Sequence, residues 1–316
     1  MKNTVRIVSL VAVIVLFTVS AVNTAFALST ADAKEMIDTS RQCSLTLTYA
    51  IDDKKLEGLD IEIFQAATVT QNFQYSMTGN FAGYPIEINK TKSQTEWNTV
   101  RDTVGAYITA DKITPLVTKK TENDGTVKFE NLPAGIYYVR WTGNETVDQV
   151  QGFAPFMIAV PGLGEDGKWI YDVTAFPKPG MMPTPDTDKM TLVKLWKDGN
   201  QTSKRPSKVS VDIFRNGDLY KSVELTAAEN WSYTWVTDGT YTWTAVERDI
   251  PEEYTVSIQS KDGNTIQITN TKDSDPPLPP QTGDNFHIVF WILMMSLSGI
   301  VLIVLGGQGR KRRVED

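Results

Sequence analysis

The chain has 316 residues, with 31 basic against 38 acidic side chains and a formal net charge of −7, a balance that argues against nucleic acid as a partner. Cys43 is the only cysteine and His287 the only histidine. An intramolecular disulfide is therefore excluded, and any histidine-based nucleophile or zinc site would have to be built on position 287.

Met1 to Ala27 reads as a signal peptide. Lys2 and Arg6 form a charged start, Ile7 to Val19 an apolar stretch, and Ala25-Phe26-Ala27 a small-residue cleavage site. The mature chain is then expected to begin at Leu28. Residues 28–178 read as a first β-sandwich with a helical insertion. Two-residue alternation marks strands at Leu45–Tyr49 and Leu59–Phe64. Ser93 and Glu96 form a capping box that opens a helix, with Trp97, Val100, Val104, Tyr107 and Ile108 on one apolar face. Asn123-Asp124-Gly125 and Leu132-Pro133-Ala134-Gly135 are turns leading into further strands, and Phe156–Val160 and Trp169–Phe176 are expected as strands too.

Residues 179–189 are a Pro-rich, extended linker. Residues 190–272 read as a second sandwich without a helix. Val209, Val211 and Ile213 alternate before an Asn216-Gly217 hairpin turn, and Ile266–Asn270 is a closing strand. Three polar residues sit on its apolar faces. Lys194 shares a face with Leu192 and Trp196, Glu247 with Tyr241, Trp243 and Ala245, and Asn270 with Ile266 and Ile268. Each is costly there unless it meets the others, and pairing of the first and last strands would bring Lys194 to Asn270. The chain ends in a Pro-rich spacer (273–285), an apolar run from Phe286 to Leu305 and a basic tail (306–316). About 20 apolar residues suffice for a membrane-crossing helix, and the cluster Arg310 to Arg313 would stay on the cytoplasmic side.

Several stretches carry a family resemblance. Pro279-Pro280-Gln281-Thr282-Gly283 resembles the LPxTG sorting signal of Gram-positive surface proteins, with Pro279 in the first position and Leu278 one residue early. The resemblance implies cleavage by sortase between Thr282 and Gly283 and attachment to peptidoglycan. His287 then lies beyond the cut, leaving about 255 residues without a histidine. Thr126–Val139 and Phe153–Pro161 resemble the N-terminal domain of Gram-positive pilins. Trp169-Ile-Tyr-Asp-Val173-Thr-Ala-Phe176-Pro177-Lys178 is similar to the pilin motif WxxxVxVYPK, with Ala175 and Phe176 where the family has Val and Tyr. In that family the lysine amine attacks the sortase-bound threonine of another subunit, which would make Lys178 the site of intermolecular linkage. The proton acceptor for that amine is not identifiable from sequence.

Val193–Asp198, Arg205-Pro206, Asn230–Trp235, Tyr241–Glu247 and Ile268-Thr-Asn270-Thr look like a Cna B-type domain, and Glu247–Tyr254 is similar to the pilin E-box with Glu253 in place of its usual Gly. The resemblance implies an intramolecular isopeptide between Lys194 and Asn270, assisted by Glu247. The whole is thus expected to be all-β: two Ig-like or Cna B-type sandwiches in tandem, plus signal peptide and C-terminal transmembrane helix. No enzyme activity, cofactor or metal is expected. The resemblance points to a structural subunit of a sortase-polymerised pilus, anchored to the Gram-positive cell wall. A monomeric wall-anchored adhesin, or a tip or basal pilin, binding a host or matrix ligand is the alternative. If subunits join from Thr282 to Lys178, tension would cross only the second sandwich, and the first would hang free of the path as a side decoration.

Overall fold

Apolar residues at every second position decide how the first strands face. In β1 (Cys43–Thr48), Leu45 and Leu47 are fully buried, as a half-buried pleated strand requires. A small hairpin, β2 (Ala50–Ile51) and β3 (Lys54–Lys55), leads to β4 (Asp60–Val69) and β5 (Tyr75–Met77). Helix α1 (Gln94–Ala110) precedes β6 (Val117–Lys120), β7 (Thr126–Leu132), β8 (Gly135–Trp141), β9 (Gln151–Phe153) and β10 (Phe156–Val160). The short strands β11 (Gly162–Leu163) and β12 (Trp169–Ile170) are followed by β13 (Asp172–Ala175) and β14 (Pro179–Met181). These are features of a computed structural model, which describes residues 35–142, 151–181, 189–237 and 241–272. The signal peptide, most of the linker, the sorting motif with Thr282 and Gly283, the apolar run and the basic tail lie outside the described residues. Among the described residues no helix is long and apolar enough to cross a membrane.

β1 lies between β13, which runs parallel to it, and β7, which runs antiparallel. The second sheet is β10–β8–β4, with β5 and β6 along the other side of β4. Leu45, Leu47, Ile61, Ile63, Phe129, Tyr137 and Val139 fill the space between the two sheets.

The other face of β4 and β8 is apolar as well. Phe64, Ala66, Ile136 and Tyr138 are buried there against α1. The helix starts where expected: Ser93 Oγ accepts from the Glu96 N–H, and Glu96 Oε2 accepts from the Ser93 N–H. This reciprocal cap satisfies donors that the first turn cannot. Gly105 lets the helix approach closely, because a Cβ there would sit 2.7 Å from the Tyr138 hydroxyl.

The second sandwich contains β15 (Lys189–Lys197), β16 (Lys208–Arg215), β17 (Asp218–Thr226), β18 (Ser232–Val236), β19 (Trp243–Glu247), β20 (Thr255–Lys261) and β21 (Thr265–Thr271). One sheet has the order β18–β15–β21–β20 and the other β17–β16–β19. Asn216 and Gly217, with φ of 51° and 84°, make the tight turn between β16 and β17 that the Asn-Gly pair predicts. Its core includes Leu192, Val211, Ile213, Leu225, Ala245, Ile266 and Ile268.

The first sandwich packs against the second through its helix. Among the described residues, α1 packs on β19 and β20, which are the last strands of the two sheets, and one continuous apolar cluster runs from β4 and β8 through the helix into the second core. The reason lies in the helix itself, which buries Thr103 and Ala106 in addition to the predicted Trp97, Val100, Val104, Tyr107 and Ile108. Its broad buried surface has sheets to cover on both sides. It also protects an edge strand, which otherwise offers unpaired backbone groups. The Ile258 N–H donates to Thr103 Oγ1 at 2.8 Å and the Val256 N–H to the Pro85 carbonyl at 2.8 Å.

A Gly→Ala change inside a helix ordinarily stabilises by up to about 1 kcal/mol. Gly105→Ala is expected to do the opposite here and destabilise by about 1–3 kcal/mol through overpacking against Tyr138, read as a lower midpoint in chemical denaturation.

Candidate crosslink site

β15 and β21, the first and last strands of the second sandwich, are parallel neighbours, with Lys194 opposite Ile268 and Trp196 opposite Asn270. Lys194 and Asn270 are therefore diagonal neighbours on the inward face, a spacing that long side chains bridge. Glu247 reaches them from β19 in the opposing sheet. Its Oε2 lies 3.4 Å from Lys194 Nζ, and its Oε1 accepts from Asn270 Nδ2 at 2.8 Å. Lys194 is 2% exposed, Glu247 1% and Asn270 0%, so the structure brings all three predicted side chains into one pocket shielded from bulk solvent.

Aromatic rings close that pocket. The Lys194 amine lies 4.1 Å from the centre of the Trp196 ring, and Trp231 and Tyr254 meet that ring edge-on at 5.3 and 5.2 Å. Asp198, itself buried, binds Arg205 through two hydrogen bonds of 2.7 Å and accepts from the Tyr254 hydroxyl at 3.3 Å. The Arg205 guanidinium then lies 5.7 Å from the Trp196 ring centre. Glu253, which replaces the usual E-box Gly, pairs with Lys272 where β21 ends.

Burial sets the electrostatics. It penalises the charged form of each group, lowering the Lys194 amine to about 8 against the opposing pull of Glu247. The same desolvation raises the Glu247 carboxyl, again partly offset by Lys194. Two oxygens, Glu247 Oε2 and Asn270 Oδ1, accept no hydrogen bond among the described residues. The carboxyl therefore meets the amide nitrogen rather than the carbonyl oxygen. A half-turn of the amide would offer Oδ1 to a protonated Glu247. The pocket thus holds a nucleophile whose neutral form is favoured, an amide, and an acid that touches the nitrogen an acyl transfer would release.

Lys178 is placed quite differently. It is exposed, three residues past Ala175 at the end of β13, and among the described residues no carboxylate contacts its amine. The rest of its motif is structural. Val173 is buried beside β1, and the Trp169 indole donates to the Glu35 carbonyl at 2.8 Å. Cys43 is buried, which pushes its thiol up to about 11, where little thiolate forms.

Sequence reasoning missed the contribution of α1 to this site. The Tyr107 hydroxyl donates to the Glu247 carbonyl at 3.3 Å, and Asp111 at the helix C-terminus pairs with Arg248 at 2.6 Å. The available signal was Thr103, a polar residue within the apolar stripe of the helix.

Residues 190–271 match the Cna protein B-type domain, and residues 47–179 match the N-terminal domain D1 of Gram-positive pilin subunits. The chain is a pilin-like protein with a Cna B-type domain. The collagen adhesin of Staphylococcus aureus is 31% identical over 107 residues, which span 31% of this chain and 8% of that protein. Among solved structures, the major pilin SpaD of Corynebacterium diphtheriae is 15% identical, with a TM-score of 0.30 over 75% of this chain and 99% of that one. Shaft pilin SpaA of Lactobacillus rhamnosus GG is 16% identical, with a TM-score of 0.26 over 75% and 100%. Domains of these two families build pilus subunits and adhesin-like proteins of the Gram-positive cell surface, and both are structural rather than enzymatic.

Asp198 offers a check on the ring of residues that closes the pocket. Its bonds to Arg205 hold its carboxyl at about 2, below the ordinary 3.8. A depressed carboxyl stabilises the fold above its unfolded value, and that contribution disappears as pH falls through the folded one. Thermal midpoints should therefore drop between about pH 4 and pH 2, and Asp198→Asn should flatten that slope while lowering the midpoint at pH 7.

Proposed function

We propose that this chain is a structural subunit of a sortase-polymerised, wall-anchored pilus whose second sandwich is closed by a Lys194–Asn270 isopeptide. One observation carries the reading: a lysine, a glutamate and an asparagine share a fully buried pocket on the first strand, the last strand and the opposing sheet. In the proposed step the neutral Lys194 amine attacks Asn270 Cγ. The Nζ–Cγ bond forms, the Cγ–Nδ2 bond breaks, and Glu247 relays the proton so that ammonia leaves. Permanent packing supplies the proximity. Closing a loop of this length restricts the unfolded chain by about 4–5 kcal/mol on the disulfide analogy.

The test is the intact mass of the mature protein, expected to be about 17 Da (one ammonia) below the sequence mass, with Glu247→Ala at full mass. Formation should also follow pH in a defined way. The pair must hold a single proton: with two the amine cannot attack, and with none there is no acid for the leaving nitrogen. The rate is expected to be highest between the raised carboxyl value and the lowered amine value of about 8, and to fall on either side.

The remaining parts follow from the sequence motifs. Sortase would join Thr282 of one subunit to Lys178 of the next, with the last subunit passed to peptidoglycan. The exposed position of Lys178 supports this, because an intermolecular nucleophile has to be reachable. The likeness to a collagen adhesin supports a second reading, a monomeric wall-anchored protein that binds a matrix ligand. Lys178→Ala separates them: it should abolish a high-mass ladder in wall extracts of a polymerised pilin, and leave surface display unchanged in a monomeric adhesin.

A further inference from the structure

Lys194 and Asn270 sit on adjacent strands of one sheet, so their spacing is fixed by the β15–β21 ladder. Glu247 belongs to the other sheet, and its reach depends on how far apart the sheets stand at their β19 and β20 edges. Among the described residues no backbone ladder joins those edges. What spans them is α1. On one side Thr103 Oγ1 accepts from the Ile258 N–H of β20 at 2.8 Å, and Ile258 pairs with Ile268 of β21, two residues before Asn270. On the other side the Tyr107 hydroxyl donates to the carbonyl of Glu247 itself. One turn further on, Asp111 holds Arg248 at 2.6 Å, while Arg248 Nε also binds Asp212 of β16 at 2.7 Å. Thr103, Tyr107 and Asp111 are four residues apart and thus lie along one side of the helix. Tyr84 stacks on Tyr107 with ring centres 4.0 Å apart and donates its hydroxyl to Asp111, which steadies the set.

We propose that α1, although it belongs to the first sandwich, is a positioning element for the crosslink in the second, acting through Thr103, Tyr107 and Asp111 to hold the Glu247 carboxyl against the lysine and the asparagine. The proposal rests on the isopeptide reading. It makes bond formation dependent on the two sandwiches having docked, so that a subunit is locked only after it is fully assembled. Misplacing a reacting group by about 1 Å can slow a reaction by as much as about 100-fold, so loosening the helix should reach the rate before it reaches the fold.

The experiment follows ammonia loss by intact mass at successive times after cell-free synthesis of the full chain in detergent. Each rate is counted per protease-resistant molecule, so that unfolded material does not enter it. Thr103→Val removes the hydroxyl at nearly constant volume, Thr103→Ser keeps it, and Tyr107→Phe removes only the contact to the Glu247 carbonyl. Thr103→Val and Tyr107→Phe are expected to link at least about tenfold more slowly than wild type, and Thr103→Ser at the wild-type rate, with all three protease-resistant. Linking of Thr103→Val and Tyr107→Phe at the wild-type rate would overturn the role of the helix and leave the isopeptide intact. Equal slowing of Thr103→Val and Thr103→Ser would also overturn it, since side-chain shape rather than the hydroxyl would then matter. A wild-type chain that keeps its full mass would overturn the isopeptide reading and this proposal together.

Discussion

The desolvation of one lysine organises this molecule. An amine at 2% exposure must find a carboxylate or surrender its proton, and Lys194 meets both conditions partway. Glu247 offers it a charge, while the dry pocket pulls both groups toward neutrality. A buried ion pair contributes little to stability, because the cost of removing the charges from water offsets their attraction. The same tension makes a pair useful for chemistry, since a neutral amine beside a neutral acid is what acyl transfer needs. The rings of Trp196, Trp231 and Tyr254 preserve that state by keeping solvent out.

The helix links this pocket to the rest of the chain. Its capping box is local and its apolar stripe is periodic, yet what the stripe covers is decided by tertiary structure. α1 has the outer face of β4 and β8 on one side and the edges of β19 and β20 on the other. The described residues thus form layers of sheet, helix and sandwich that share one apolar cluster. The Ile258 and Val256 amides, which an edge strand would leave to solvent or to a foreign strand, are taken up by Thr103 and Pro85.

Much of this was legible in the sequence. Alternation placed Leu45, Leu47, Ile61 and Ile63 in the first core, and the Asn216-Gly217 pair gave its turn. Lys194, Glu247 and Asn270 stood out because each broke an apolar period, and three violations in one short domain have a common cause. The strand over Trp169–Phe176 was only partly right: it divides into β12 and β13 at Tyr171, whose hydroxyl accepts from the Asp38 N–H at 2.8 Å. The docking of α1 on the second sandwich was not legible, because periodicity tells which face of a helix is buried but not against what. Thr103 is the polar residue within that stripe, and its burial is accounted for by the hydrogen bond it accepts from the Ile258 N–H.

The parallel pairing of β15 with β21 has a geometric consequence. Two parallel neighbours point the same way, so the chain enters the second sandwich at one pole and departs from the other. The paired stretch, Thr191–Lys197 against Thr265–Thr271, separates those poles by roughly 20 Å at the usual rise per strand residue. Antiparallel end strands would have brought entrance and exit to the same pole and folded any chain of such modules back on itself. This arrangement makes the module a through-piece, one that adds length in a single direction each time it is repeated.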